Sequence, residues 1–181
     1  SNAITVIGAK KQFTNRDNVW TYLPAFVPMT VETIHIKNDT TCPEQALTPF
    51  DGNPQLHLSI VYWNVIQTLP CLKTLTIDFD RLDSLSRIAS RSSPLQSISN
   101  PSIQTLTLIH CPYETMEGLH KFKSLKVLIL QDSSITSLHP YFPKQLKVLQ
   151  IIHCPSLDYE IPSLKKKCIT KKIALEIRND V

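Results

Sequence analysis

The most constraining feature of this sequence is a short apolar pattern, Leu-x-x-Leu-x-Leu, followed three residues later by a small polar residue. It is clearest in LKVLILQDS, residues 125–133, and in LKVLQIIHC, residues 146–154. Alternation of apolar with other residues is typical of a strand that buries one side. Recurrence of the pattern predicts a repeat architecture, in which no single unit buries its apolar side alone. The central residues of the six copies are Ile34, Leu75, Leu106, Leu128, Leu149 and Leu175.

The segments between the copies have a different periodicity. Apolar residues recur at steps of three and four in residues 56–69 and 80–90, which predicts amphipathic helices. The connections at residues 113–122 and 133–143 are shorter and contain or adjoin prolines, so we predict one helical turn or a 3₁₀ turn in each. Each unit is therefore predicted to be a strand, a turn and a return segment.

The motif closely resembles the strand signature of leucine-rich repeats, and from position 75 onward its copies are 31, 22, 21 and 26 residues apart. The resemblance implies an α/β leucine-rich-repeat solenoid with a curved parallel sheet on its concave face. Helices, 3₁₀ turns and loops would then form the convex face. The copies that contain cysteine look most like the intracellular repeats of F-box-type ubiquitin-ligase receptors, although the chain has no F-box segment.

The resemblance also suggests a division of the chain. Residues 1–3, Ser-Asn-Ala, look like the remnant of a cleaved tag. Residues 4–30 would form an N-terminal cap or a degenerate first repeat. Residues 31–181 would form the repeat domain, with about five to six repeats. The long step between the first two copies predicts an insertion near residues 38–55, where Pro, Thr and Asp are frequent.

Two copies end in the same letters, IHCP, at Pro112 and Pro155. A histidine beside a cysteine is compatible with a metal site, a redox pair or a repeated structural position. Cys111 and Cys154 would lie two strands apart with Ser133 between them, hence about 10 Å from each other. A disulfide needs the two Cα atoms within about 7 Å of each other, and a zinc ion needs all its ligand atoms within about 2.3 Å of the metal. We therefore predict a structural role, with the cysteines pointing inward and the histidines near the rim.

Other chemistry has little support in the sequence. With 3 glycines and 13 prolines, glycine-rich phosphate loops are largely excluded. The six histidines are scattered and none belongs to a recognisable nucleophile elbow. The motif places Asp78 on the concave face and Asp80 in the turn that follows. This separation favours solvated positions for both carboxylates over a shared metal site. We predict an enzymatically inactive chain with no catalytic residue, no metal, no cofactor and no small-molecule ligand.

Charge, cysteine content and hydrophobicity limit the cellular compartment and the classes of partner that fit this sequence. A net charge of +4 is too dispersed to indicate nucleic acid, and the lysine-rich run at residues 165–172 is interpreted as a solvated segment. Five cysteines without Cys-x-x-Cys spacing favour a reducing compartment. No signal peptide or membrane-length apolar run is present, so membrane insertion is not expected. We predict a cytoplasmic location, or the host cytoplasm for a secreted effector.

The residues that flank the buried leucines should point outward on the concave face. Apolar residues on an open sheet face indicate a protein partner, whereas β-branched residues also simply suit strands. We expect a protein–protein interaction module, or alternatively the substrate-recognition part of a larger ubiquitin ligase or bacterial effector with its enzymatic domain elsewhere. Binding of nucleic acid by the lysine run is a third hypothesis. The predicted binding residues are His35, Lys37, Thr76, Asp78, Thr107, Ile109, Val127, Ile129, Gln131, Val148, Gln150, Ile152, Glu176 and Arg178.

Overall fold

The structure is a computed structural model, and it describes residues 3–8, 29–38, 66–79, 95, 99–139 and 141–179. These residues form an α/β fold dominated by strands. The helices with both ends described are α1 (Ile161–Lys171) and two 3₁₀ helices, Leu119–Lys121 and Pro155–Leu157. The strands are β1 (Ala3–Gly8), β2 (Thr33–Asn38), β3 (Thr74–Asp78), β4 (Thr105–Ile109), β5 (Val127–Gln131), β6 (Val148–Ile152) and β7 (Ala174–Arg178).

The seven described strands form one parallel sheet in chain order, β1 to β7. Leu106 pairs with Leu75 on one side and with Leu128 on the other, and Leu149 continues the same row to Leu175. Ile34 pairs with Leu75 at the other end of that row. The observed register confirms the alignment of all six copies of the motif. An additional strand, β1, pairs with β2 and begins at Ala3, inside the segment that the sequence suggested as a tag remnant.

The core lies on the side of the sheet toward which the leucine rows point. Strands β3 to β6 all alternate between half-buried and buried residues. Both leucine-type residues of each of these strands are inaccessible to solvent or nearly so. The residue that opens each of the first five copies, such as Leu125 or Leu146, is buried as well, whereas the sixth, degenerate copy has the exposed Lys172 at that position. The period of two in the sequence therefore corresponds to one buried and one accessible side, as predicted.

The predicted connections are confirmed in one case and wrong in the other. Residues 113–122 contain the 3₁₀ helix Leu119–Lys121, as predicted. The next connection forms no helix among its described residues, and Ser137 instead pairs in parallel with Thr115. The Glu160 carboxylate accepts the backbone N–H of Leu138 at 2.7 Å and that of His139 at 3.2 Å. These two donors are thus bound by a distant side chain and not by the carbonyls of a local helical turn.

The lysine-rich segment forms a regular helix, which the sequence analysis did not predict. Helix α1 buries Leu164 and Cys168 and is followed by Lys172, whose backbone is left-handed with φ of 56°. Lys167 places its ammonium 4.6 Å from the centre of the Phe142 ring, within the range of a cation–π contact. Burial lowers the pKa of Lys167, and the nearby Lys171 charge adds to that effect. Part of the basic run is therefore packed against the domain.

Several predicted features fall outside the described residues. The insertion near residues 38–55 and the helix predicted over residues 80–90 are among them. Of the helix predicted over residues 56–69, the structure describes only the end, and residues 66–68 are helical. Within the described ranges, every helix is too short or too polar to cross a bilayer.

Candidate protein-binding face of the sheet

The side of the sheet opposite the core is accessible and carries the predicted binding residues. We call it the open face. On strands β3 to β6 all of its members are half-buried; on β7, Glu176 is half-buried and Arg178 is exposed. The side chain of Lys37 lies outside the described residues. The outward-pointing residues with described side chains are Thr33, His35, Thr74, Thr76, Asp78, Thr105, Thr107, Ile109, Val127, Ile129, Gln131, Val148, Gln150, Ile152, Ala174, Glu176 and Arg178.

The register decides which apolar residues of the open face are neighbours. Val127 pairs directly with Val148. Gln131 lies between Ile109 and Ile152 in one row. Ile129 lies between Thr107 and Gln150 in the next row. Each isoleucine of the open face therefore has an amide side chain beside it in its row. Such a surface offers both desolvation energy and directional hydrogen bonds to one partner.

Two of the predicted residues at the β7 end are already paired with each other. The Arg178 guanidinium donates through Nε to Glu176 Oε1 at 2.6 Å, and the Gln150 amide donates to Glu176 Oε2 at 2.8 Å. This network holds three polar side chains in fixed positions on neighbouring strands. Orientation before binding reduces the entropic cost of ordering them in a complex.

His35 differs from the other members of the open face. Its Nε2 atom is buried and has no hydrogen-bond partner within the described part of the chain. A neutral imidazole with its proton on Nδ1 leaves Nε2 as an unpaired acceptor rather than an unpaired donor. The ring is thus partly withdrawn from solvent, and its buried edge is not presented to a partner.

A column of alternating carboxylates and imidazoles borders the open face at the ends of the strands. The Nδ1 atom of His110 lies 2.9 Å from Asp78 Oδ1, and His153 Nδ1 lies 3.4 Å from Asp132 Oδ1. His110 Nε2 is 4.0 Å from Asp132 Oδ2, which joins the two pairs. No group of three or more His, Cys, Asp or Glu side chains in the described ranges has a geometry that would hold a metal ion.

Backbone conformation creates this column. His110, Asp132 and His153 each follow a strand and are left-handed, with φ of 52°, 47° and 50°. His and Asp are among the residues that tolerate this conformation best. The N–H of each one donates to a carbonyl at the end of the next strand, at 2.8 to 3.0 Å. The predicted position of the two histidines near the rim is confirmed. Sequence reasoning missed their pairing with Asp78 and Asp132, although the shared position after each strand was a usable signal.

In the three copies where it is described, the small residue that ends the motif points inward, as predicted. Cys111, Ser133 and Cys154 are buried. The Ser133 hydroxyl accepts the N–H of Cys111 at 3.0 Å and donates to the carbonyl of Gln131 at 2.8 Å. Cys154 makes the corresponding contact through its thiol, which donates to the Ile152 carbonyl at 3.3 Å. These contacts confirm the structural interpretation for Cys111, Ser133 and Cys154. The other residues at this position of the motif, among them Asp39, Asp80 and Asp180, lie outside the described residues.

The described cysteines are free thiols with different accessibilities. Cys71 is exposed, whereas Cys111, Cys154 and Cys168 are buried. Burial raises the pKa of the Cys154 thiol, and hydrogen bonds with the Ser133 and Ile152 backbones offset only part of this effect. Burial also raises the pKa of Cys168. Both groups are therefore protonated and weakly nucleophilic at neutral pH.

These accessibilities predict a difference in alkylation. At pH 7.5, iodoacetamide should modify Cys71 at least about tenfold faster than Cys111, Cys154 or Cys168, because only Cys71 is exposed without local opening. Quenching the reaction over time and mapping peptides by mass spectrometry gives each rate separately. The same reaction in urea provides the control, since all sites should then react at similar rates. Equal rates in the native chain would contradict the inward orientation of the cysteine column.

Comparison with protein-family models, with curated proteins and with solved structures finds no match to this chain. The functional interpretation therefore depends on the geometry of the sheet and on the repeated motif.

Proposed function

We propose that this chain is a leucine-rich-repeat solenoid that acts as a non-catalytic module for binding another protein through its open face. The observation that carries the proposal is the apolar–amide pattern at the centre of that face, formed by Ile109, Ile129, Ile152, Gln131 and Gln150. A parallel sheet formed by consecutive strands in chain order, six of which carry the motif, supports the repeat architecture.

The dimensions of the open face suit a protein rather than a small molecule. Parallel strands lie about 4.8 Å apart, so the face spans about 24 Å from β2 to β7. A broad surface with an apolar centre and a polar margin is typical of protein interfaces. The margin consists of the carboxylate–imidazole column on one side and the Glu176–Arg178 pair at the β7 end. We further propose a reducing, intracellular setting, because the exposed thiol of Cys71 would otherwise be at risk of oxidation.

The test compares two regions of the surface. Ile129→Asp places a charge at the centre of the open face while leaving the buried side of β5 intact. A triple substitution, Lys165→Glu, Lys166→Glu and Lys167→Glu, alters helix α1 instead. A protein first captured from cell lysate is purified, and its affinity for each variant is measured directly. Ile129→Asp should weaken binding by at least about 2 kcal/mol, a factor of about 30, with unchanged circular dichroism.

A matched control separates charge at the interface from charge in general. Thr136→Asp adds the same carboxylate at an exposed position outside the open face, and its affinity should equal that of the native chain. Ile129→Thr keeps a β-branched residue and should show an intermediate loss. If the lysine variant loses the partner while Ile129→Asp retains it, the binding site is on helix α1 and the proposal fails.

A further inference from the structure

Beside β7, the last strand that the structure describes, there is a groove that is separate from the open face. We call it the end groove. It has a volume of about 440 Å³ and opens to solvent between β7 and helix α1. Ile169, on the helix side, is 80% exposed. The residues that line the groove are Lys165, Cys168, Ile169, Ile173, Leu175 and Ile177.

Two of the residues that line the end groove belong to rows of paired residues that are buried on the other strands of the sheet. Leu175 and Ile177 continue the rows of Leu149 and Ile151. Those two residues on β6 are inaccessible, whereas Leu175 and Ile177 are only half-buried because no described strand follows β7. The apolar rows of the core therefore reach solvent at this end.

The edge of β7 also presents unused hydrogen-bonding groups. The N–H of Ala174 donates to the Lys147 carbonyl, and the carbonyl of Arg178 accepts the N–H of His153. In a parallel ladder alternate residues of a strand bond to the same neighbour. Ala174, Glu176 and Arg178 thus bond toward β6, and the backbone groups of Leu175 and Ile177 point toward the open edge. An extended chain placed there would extend the ladder by one strand.

The charges around the end groove favour an acidic sequence for the extended chain that would pair with β7. Helix α1 has four lysines and no acidic residue. Lys165, one of these four lysines, lines the groove. Antiparallel pairing of β7 with β7 of a second copy would bring two such helices together, and like charges at that distance repel. Acidic residues near the ends of the added strand would be attracted.

We propose that the end groove binds an extended acidic segment of another protein, which adds to the edge of β7 as an eighth strand. Two apolar side chains of that segment would pack against Leu175, Ile177 and Ile169. A carboxylate beside them would pair with Lys165. This site is independent of the open face, so neither proposal depends on the other.

A synthetic probe tests the proposal directly. A fluorescein-labelled peptide, Glu-Thr-Val-Thr-Ile-Thr-Glu, has two apolar residues on one side flanked by glutamates when extended. Its affinity for the full chain is measured by fluorescence anisotropy. A peptide whose central threonine is replaced by proline loses a donor that would face β7, and it should bind at least about tenfold more weakly. A peptide with lysine in place of both glutamates should bind more weakly than the original.

Variants of the protein locate the site. Ile169→Asp should weaken binding of the acidic peptide at least about tenfold, and because Ile169 is exposed the fold should be preserved. Tyr159→Asp adds the same charge just before helix α1, where the residue is 99% exposed, and should change little. Lys165→Glu should favour the lysine peptide over the glutamate peptide. Ile129→Asp should bind the peptide normally, which distinguishes this site from the open face.

Several outcomes would overturn the proposal. One such outcome is that the acidic peptide fails to bind the native chain. Another is that it binds the Ile169→Asp variant as tightly as the native chain. Sedimentation velocity shows a dimer that Ile169→Asp abolishes, which would assign the groove to a second copy. Phosphatidylserine vesicles bind in a Lys165-dependent manner while the peptide does not, which would assign the basic helix to a lipid surface.

Discussion

Leu128→Ala is expected to lower the free energy of unfolding by about 2 to 5 kcal/mol. Leu128 is the central leucine of the motif copy on β5, has 0% exposed surface and lies between Leu106 and Leu149 in the buried row. Truncation removes apolar contacts and leaves a cavity that neighbouring strands, held by their own hydrogen bonds, cannot fill. Urea denaturation followed by circular dichroism measures the loss.

Thr107→Ala on the adjacent strand is the matched control. Thr107 is half-buried on the open face and pairs with Ile129. Its truncation should change the free energy of unfolding by no more than about 0.5 kcal/mol. Similar losses for Leu128→Ala and Thr107→Ala would show that the two sides of the sheet are assigned incorrectly.

Asn100→Ala should destabilise the domain by about 1 to 3 kcal/mol, because the carbonyls of Ile66 and Leu69 would keep only long hydrogen bonds, from the Leu69 N–H at 3.4 Å and the Ser102 hydroxyl at 3.5 Å. Asn100 has only 2% of its surface exposed. Its side-chain amide donates to the carbonyls of Ile66 and Leu69, both at 2.7 Å. Its oxygen accepts the N–H of Ser102 at 2.9 Å. One side chain therefore joins two segments that are more than thirty residues apart.

An isosteric substitution isolates the donor. Asn100→Asp keeps the oxygen that faces Ser102 but places a second oxygen against two carbonyls, so it should cost at least as much as Asn100→Ala. Gln145→Ala, at an exposed turn position, serves as the control for thermal and urea unfolding. A loss for Asn100→Ala no larger than that for Gln145→Ala would mean that these hydrogen bonds contribute no net stability.

The strands and their buried sides were accessible to sequence reasoning for a specific physical cause. Side chains alternate across a strand, so a shift of one residue would exchange the buried and accessible sets completely. In LKVLILQDS only one register places Leu128 and Leu130 in the core, and the structure has that register. The same alternation predicted the membership of the open face, including Ile129 and Gln150.

Helix α1 shows where pattern reasoning failed. Its sequence contains two buried residues, Leu164 and Cys168, among four lysines, so its apolar stripe is too narrow to be recognised. Its stability comes from packing beneath β7 and from the contact of Lys167 with Phe142, which lie far apart in sequence. Helices of this length are marginal in isolation, and tertiary contacts decide whether they form.

By itself, the sequence determined the positions of strands β2 to β7 and the buried side of β3 to β6, because period-two alternation is a local property of the chain. It also determined that Cys111, Ser133 and Cys154 occupy equivalent positions. Only the tertiary structure decided the pairings of Asp78 with His110, of Asn100 with Ile66 and of Glu160 with Leu138, whose members are 22 to 34 residues apart. Such pairings depend on strand register, left-handed turns and the lengths of the connections together. Local periodicity contains no information about them.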